Sequence, residues 1–212
     1  PGQYNMAIGM AQGMSIALAL QYPNGNARFV FIDGLGQDVS KNSNIQRWSQ
    51  LMERFGFPIE LIGANEAVDW LTSFKQEISD LEPEEDTYII CLGMDRYSNF
   101  LEMNLCGESG ADTFQQLLKC GIKGVHFVCW WSNVSTYKLH LGFGNDGYFG
   151  TKILLRMDTD TSREVLGPFV SWSVRENRAY VHDNSELPSD EIVIPLMPIN
   201  NRICGIVESE EW

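Results

Sequence analysis

The sequence is poor in positive charge. Lys and Arg together number 15 against 28 Asp and Glu, so the formal net charge is -13 over 212 residues. No run of Lys or Arg occurs along the chain. Because nucleic-acid binding depends on clustered basic side chains that displace phosphate counterions, we do not expect this chain to bind DNA directly.

The sequence also lacks any hydrophobic run near the ~20 residues that a membrane-spanning helix needs, so no membrane segment is expected in it. Its cysteines number 5, an odd count, and none of them forms a C-x-x-C pair. Cys91 and Cys129 lie within apolar stretches. This usage favours buried free thiols in a reducing cytoplasm over disulfides or a zinc site. The parent protein could still be membrane-anchored, because the start Pro1-Gly2 indicates the C-terminal piece of a larger protein.

What the chain does contain is a regular alternation of short apolar runs with helical patterns, at the ~30-residue spacing of βαβ units. Such alternation is typical of right-handed crossovers and parallel strands. The strands read as continuous apolar runs, which fits burial on both faces of a sheet. The sequence therefore predicts one domain over residues 1–212, with a three-layer α/β/α fold and a mostly parallel central sheet. The predicted strands are Tyr4–Gly9, Ala27–Gly34, Pro58–Gly63, Thr87–Leu92, Gly124–Trp131, Phe149–Met157, Arg178–His182 and Glu191–Pro195.

The turn after the first predicted strand is the first candidate for a ligand site, because parallel sheets bind ligands at the carboxyl ends of strands. It runs from Gly9 to Ser15 and leads into a predicted helix, as a phosphate-binding loop does. That loop reads G-x-x-x-x-G-K-[ST], but only three residues separate Gly9 from Gly13, and Met14 or Ser15 stands where the Lys belongs. A packed loop without ligand is the alternative, and anion binding by backbone N–H groups alone stays open.

Several segments, taken in order and spacing, resemble the motor domains of FtsK/SpoIIIE-type P-loop ATPases. The resemblance covers nearly the whole chain and implies a P-loop NTPase (RecA-like) fold. The segments are R-F-V-F-I-D at 28–33, the Walker B-like strand T-Y-I-I-C-L at 87–92, G-V-H-F-V at 124–128, F-G-T-K-I-L-L-R-M at 149–157, the helix ending L-G at 159–167, and N-R-A-Y-V-H-D at 177–183.

The departures from that family concern its chemical residues. Met94 stands where the family has the Asp that holds Mg²⁺, and Asp95, one methylene shorter than Glu, stands at the position of the catalytic Glu. Because phosphoryl transfer depends on placed charge, hydrolysis is expected to be very weak. The resemblance thus implies a degenerate module, as in tandem-motor DNA translocases and type-seven secretion ATPases, with no required cofactor and at most weak binding of ATP and Mg²⁺. Other ATPase domains of the same polypeptide or complex are its expected partners.

An alternative is a subunit that binds ATP and hydrolyses it weakly or at an interface shared with a neighbour. Asp33, at the end of the second predicted strand, and Asp95 would then contribute to the site. The other reading of Asp33 is a side chain that caps its own turn.

Trp130 and Trp131 end the strand beside this candidate site. Since side chains alternate along a strand, one is expected to pack in the core and the other to be exposed. Tryptophan is enriched at binding hot spots, so the pair is a candidate site for a peptide or protein partner. Packing of both rings in the core is the competing interpretation.

Overall fold

The computed structural model describes residues 3–22, 25–36, 44–80, 85–170, 172–184 and 189–195. The helices are α1 Gln3–Ala19, α2 Asn44–Arg54, α3 Ala67–Asp80, α4 Gly110–Cys120, α5 Val134–Leu141 and α6 Thr159–Leu166. The strands are β1 Ala27–Asp33, β2 Ile59–Gly63, β3 Asp86–Leu92, β4 Val125–Trp130, β5 Thr151–Leu154, β6 Ala179–Asp183 and β7 Ser189–Val193. No helix within these residues is long and apolar enough to cross a membrane.

The four strands β1 to β4 form one parallel sheet in the order β2-β1-β3-β4. Each parallel step requires a crossover, and the helices between the strands supply it. The central strands β1 and β3 are almost entirely buried, as parallel strands covered on both faces must be. The predicted α/β class with a parallel central sheet is therefore confirmed.

Helices cover both faces of this sheet, because β1 divides its side chains between two cores. Phe29 and Phe31 pack in a core with residues of α1 and α2, including Trp48. Val30 and Ile32, on the opposite face, pack in a core with residues of α3 and α4. This arrangement agrees with the predicted three layers.

The predicted first strand, Tyr4–Gly9, is wrong, because this segment is the beginning of helix α1. A short apolar run does not distinguish a buried strand from a buried helix. Here the apolar character continues to Ala19, and Met6, Ala7 and Ile8 are all less than 5% exposed. Tertiary burial therefore outweighs the cost of the two glycines, Gly9 and Gly13, that lie inside the helix.

The C-terminal strands were expected to extend one mostly parallel sheet, and they do not. Strands β5, β6 and β7 form a separate antiparallel sheet in that order. The connection between β5 and β6 contains the short helix α6, and β7 returns beside β6. The sequence pattern gave the strands but not their partners, because pairing depends on contacts distant in the chain.

Candidate functional site

The carboxyl edge of the parallel sheet is closed by contacts between backbone segments. The N–H of Gly34, after β1, donates to the carbonyl of Leu92 at 2.8 Å. A Cβ at Gly34 would lie 2.2 Å from the carbonyl oxygen of Gly93, so only glycine fits there. Asp33 is 2% exposed, and its Oδ1 accepts from the N–H of Leu35 at 2.8 Å. The capping interpretation of Asp33 is therefore the one that the geometry shows.

Asp95 joins the ends of β3 and β4. Its Oδ1 accepts from the N–H of Ser132 at 2.9 Å, and its Oδ2 accepts from the hydroxyl of Ser132 at 2.6 Å. Met94 beside it is fully buried. Both oxygens at the position that resembles a catalytic Glu thus form hydrogen bonds within the protein.

The expected strand–turn–helix geometry at Gly9–Ser15 is absent, because these residues belong to helix α1. Within a helix the backbone N–H groups donate to carbonyls four residues earlier, so they cannot surround a phosphate. The hydroxyl of the fully buried Ser15 donates to the carbonyl of Gln12 at 2.8 Å and accepts from the indole N–H of Trp48 at 2.9 Å. Met14 lines an apolar cavity. Gly9, Gly13, Met14 and Ser15 therefore do not form a phosphate loop in this conformation.

The two tryptophans lie on opposite faces of the sheet, and both are half-buried. Trp130 packs on the α1 side, where the ring of Tyr4 meets it edge-on at 5.4 Å. Trp131 packs on the other side between Tyr137 and Phe149, at ring-centre distances of 5.1 and 6.0 Å. The expectation that one ring is buried and the other exposed is wrong, because loops and helices cover part of both.

The indole N–H of Trp131 donates to Nδ1 of His140 at 3.2 Å. His140 is 3% exposed, and burial lowers its pKa from 6.5 to about 4, although nearby Asp95 acts in the opposite direction. The imidazole is therefore neutral at pH 7, as an accepting Nδ1 requires. His140 holds Trp131 in place, a role that the sequence did not reveal because the two residues meet only through the fold.

Near these rings lies a pair of adjoining cavities lined by residues of β4 and β5, which we call the β4–β5 slot. One cavity, of about 150 Å³, lies on the α5 side and contains Trp131, Tyr137 and Val165 in its wall. The other, of about 210 Å³, lies on the α1 side. The two cavities share the residues Cys129, Trp130, Phe149, Thr151, Ile153 and Leu155.

The slot joins Trp130 and Trp131, which the sequence marked, to β5 residues that it did not mark. Thr151 and Ile153 on β5 and Leu155 just after it line both cavities, whereas Lys152 and Leu154 line only the α5-side cavity. What the sequence could not show is that β5 faces β4. Asp33 and Asp95 do not line the slot, and the Gly9–Ser15 segment contributes only Met10, Ala11 and Met14 to its α1-side wall.

Neither the protein-family models nor the curated proteins include a match to this chain. Among the described residues, no group of three or more His, Cys, Asp or Glu side chains could hold a metal ion. The four cysteines described, Cys91, Cys106, Cys120 and Cys129, are free thiols. Any functional conclusion therefore depends on the geometry of the site.

Proposed function

We propose that this chain is a catalytically degenerate FtsK/SpoIIIE-like module with a partner-binding role in a larger translocase-like ATPase. The observation that carries the proposal is the β4–β5 slot, which lies beside β4 and combines aromatic and aliphatic side chains with Ser132, Asn133, Lys152 and Arg156 in its α5-side wall. Concave apolar sites with a few polar groups are the usual binding sites of proteins. The resemblance of the sequence supports the setting in a larger motor.

The hydrogen bonds that the polar side chains near the edge of the sheet form within the protein support the degenerate character. Asp95 accepts two hydrogen bonds from Ser132, and Ser15 is held by Gln12 and Trp48. No lysine stands in the segment from Gly9 to Ser15. A triphosphate at the Gly9–Ser15 segment therefore meets none of the positive charge from that segment that phosphoryl transfer requires.

The occupant that we propose for the slot is an extended apolar segment of a partner protein. Residues of β4 and β5 line the slot, and among the described residues β4 is an edge strand of its sheet, so a peptide in extended conformation can lie along β4. Strand addition combines backbone hydrogen bonds with pockets for alternate side chains. The tryptophans supply the aromatic surface that partner sites favour.

Isothermal titration with ATP and Mg²⁺ tests the degenerate character. We expect no sub-micromolar binding and no phosphate release, because the site lacks a cation. Sub-micromolar binding with turnover would end the proposal. A nucleotide that binds only when another ATPase domain is added would favour the shared-interface alternative.

Selection of phage-displayed nine-residue peptides on the immobilised chain tests the slot. Peptides with alternating apolar residues are expected, and their binding should change tryptophan fluorescence. Thr151→Arg places a charge at an exposed position that lines both cavities and should weaken binding at least tenfold. Leu139→Arg is the matched control, since Leu139 is 60% exposed on α5 and lies outside the slot. Equal affinities for the two variants would place the binding site elsewhere.

A further inference from the structure

Two cysteines lie side by side in the parallel sheet. The register of β3 and β4 places Cys91 directly opposite Cys129. Paired residues of neighbouring strands project from the same face of a sheet, and both cysteines pack in the core on the α3–α4 face. Their thiols form a hydrogen bond with each other. They are therefore a contacting pair of free thiols rather than two isolated buried cysteines.

The spacing of the two strands suits a covalent bond between these residues. Neighbouring strands lie about 4.8 Å apart, and the Cα atoms of a disulfide usually lie about 4.4–6.8 Å apart. The backbone of the sheet therefore already satisfies the distance condition for a disulfide between Cys91 and Cys129.

The two thiols have different surroundings. Cys91 is fully buried, and its thiol also forms a hydrogen bond with Tyr97. Cys129 is half-buried and lines both cavities of the β4–β5 slot, whereas Cys91 lines neither. A small reagent that enters the slot therefore meets Cys129 first, with Cys91 behind it. Oxidation-sensitive cysteines are often placed in this way next to a second, resolving cysteine.

The size of the slot limits the reagent. Its two cavities have volumes of about 150 and 210 Å³, and a water molecule occupies about 30 Å³ in the liquid. Hydrogen peroxide, which has one oxygen atom more than water, fits in either cavity. The structure thus selects a small hydroperoxide as the oxidant.

The environment of Cys129 makes its reaction slow at neutral pH. Burial raises the pKa of this thiol well above its ordinary value, and the hydrogen bond with Cys91 acts in the same direction. Because the thiolate is the nucleophile in thiol oxidation, only a small fraction of Cys129 reacts at pH 7. The pair should therefore stay reduced at low peroxide concentrations and respond to an excess.

We propose that Cys91 and Cys129 form a redox-sensitive dithiol that hydrogen peroxide, entering through the β4–β5 slot, oxidises to a disulfide. The Sγ of Cys129 attacks one peroxide oxygen, the O–O bond breaks, and a sulfenic acid and one water form. The Sγ of Cys91 then attacks the sulfenic sulfur, so that the S–S bond forms and the hydroxyl leaves with the thiol proton as a second water. The two thiols lose two electrons and two protons, and the peroxide is reduced. This inference does not rest on the proposed function.

Peroxide treatment of the folded chain tests the proposal. Replacement of the other cysteines, Cys106, Cys120 and Cys204, by Ser leaves the pair alone. We expect both thiols to disappear together, with the mass loss of two hydrogen atoms and full reversal by dithiothreitol. Peptide mapping should link the segment of Cys91 to that of Cys129. Thiols that both stay reduced, or a Cys129 sulfinic acid beside an unchanged Cys91, would overturn the proposal. The same map of the wild-type chain decides the question if the triple variant fails to fold.

The pH dependence identifies the attacking species. Below the raised pKa of Cys129 the thiolate fraction grows tenfold for each pH unit, so oxidation should be about tenfold faster at pH 8 than at pH 7. An equal rate at the two pH values would refute attack by the Cys129 thiolate.

Single variants in the same background assign the order of the steps. Cys91→Ser should leave a sulfenic acid on Cys129, which dimedone traps as a single adduct. Cys129→Ser should leave Cys91 at least tenfold less reactive than Cys129 is in Cys91→Ser, because Cys91 is fully buried. Equal rates of dimedone labelling in the two variants would refute the assignment of Cys129 as the first thiol to react.

Discussion

Because Gly34 lies very close to Gly93, a single methyl group added at Gly34 should lower the free energy of unfolding substantially. In Gly34→Ala the new Cβ would lie 2.2 Å from the carbonyl oxygen of Gly93 and 2.6 Å from that of Leu92. Both contacts are with backbone, so neither can be relieved by rotation of a side chain. The loop after β1 would have to move by about 1 Å to reach ordinary contact distances, a displacement that a close-packed interior resists.

The magnitude follows from two effects. Overpacking of this kind costs about 1–3 kcal/mol. The displacement also strains the 2.8 Å hydrogen bond from Gly34 to Leu92, which contributes about 1 kcal/mol. The expected loss is about 2–4 kcal/mol from a total stability of about 5–15 kcal/mol. For a chain of this size the midpoint of thermal unfolding should fall by roughly 5–15 °C.

Urea unfolding followed by circular dichroism measures this loss. Gly150→Ala is the matched control, because a Cβ at Gly150 meets nothing within 4 Å and its φ is not positive. That variant should stay within about 0.5 kcal/mol of the wild type. Equal unfolding free energies for Gly34→Ala and Gly150→Ala would refute the conclusion that the edge is closed by backbone contact.

Two further predictions concern the polar contacts at the same end of the sheet. Burial lowers the folded-state pKa of His140 from 6.5 to about 4. Between these two pH values the unfolded chain binds a proton at His140 and the folded chain does not. The free energy of unfolding should therefore be highest above pH 6.5 and should fall by roughly 3 kcal/mol as the pH decreases toward 4. Unfolding free energies between pH 4 and 7 measure this dependence; His140→Gln should flatten it, and an unchanged slope would contradict the assignment. In the second prediction, a double-mutant cycle of Asp95→Asn and Ser132→Ala should give a coupling of about 1–2 kcal/mol, since a bond to a charged group contributes more than a neutral one. A coupling below about 0.3 kcal/mol would show that Asp95 does not join the two strands.

Most strands of the parallel sheet could be predicted because each is an apolar run bounded by turn residues. The runs that form β1, β3 and β4 are richer in β-branched and aromatic residues than Tyr4–Gly9. The Tyr4–Gly9 segment is short, and apolar residues continue after it up to Ala19. Its pattern is therefore equally compatible with a helix and with a strand. Its state is set by packing against Leu155 and Ala179, distant residues that no local window contains.

Only the part of the candidate site that lies on a single strand could be predicted from the sequence. Trp130 and Trp131 stand at the end of β4, so their position at the edge of the sheet followed from the strand assignment. The contacts of Asp95 with Ser132 and of His140 with Trp131 bring together residues from different loops and helices. Each contact also needs a particular rotamer, which sequence spacing does not determine.

Electrostatics favour the β4–β5 slot over the carboxyl edge of the sheet as the site of the proposed partner segment. Asp33 and Asp95 stand at the carboxyl edge, and the chain carries a net charge of -13. Two unit charges of the same sign 4 Å apart repel by about 4 kcal/mol at an effective dielectric constant of 20, so a triphosphate near either carboxylate would need a cation that the Gly9–Ser15 segment lacks. An apolar segment in the slot carries no charge and meets no such repulsion. These charges therefore favour the proposed polypeptide partner beside β4 over a nucleotide near Asp33 and Asp95.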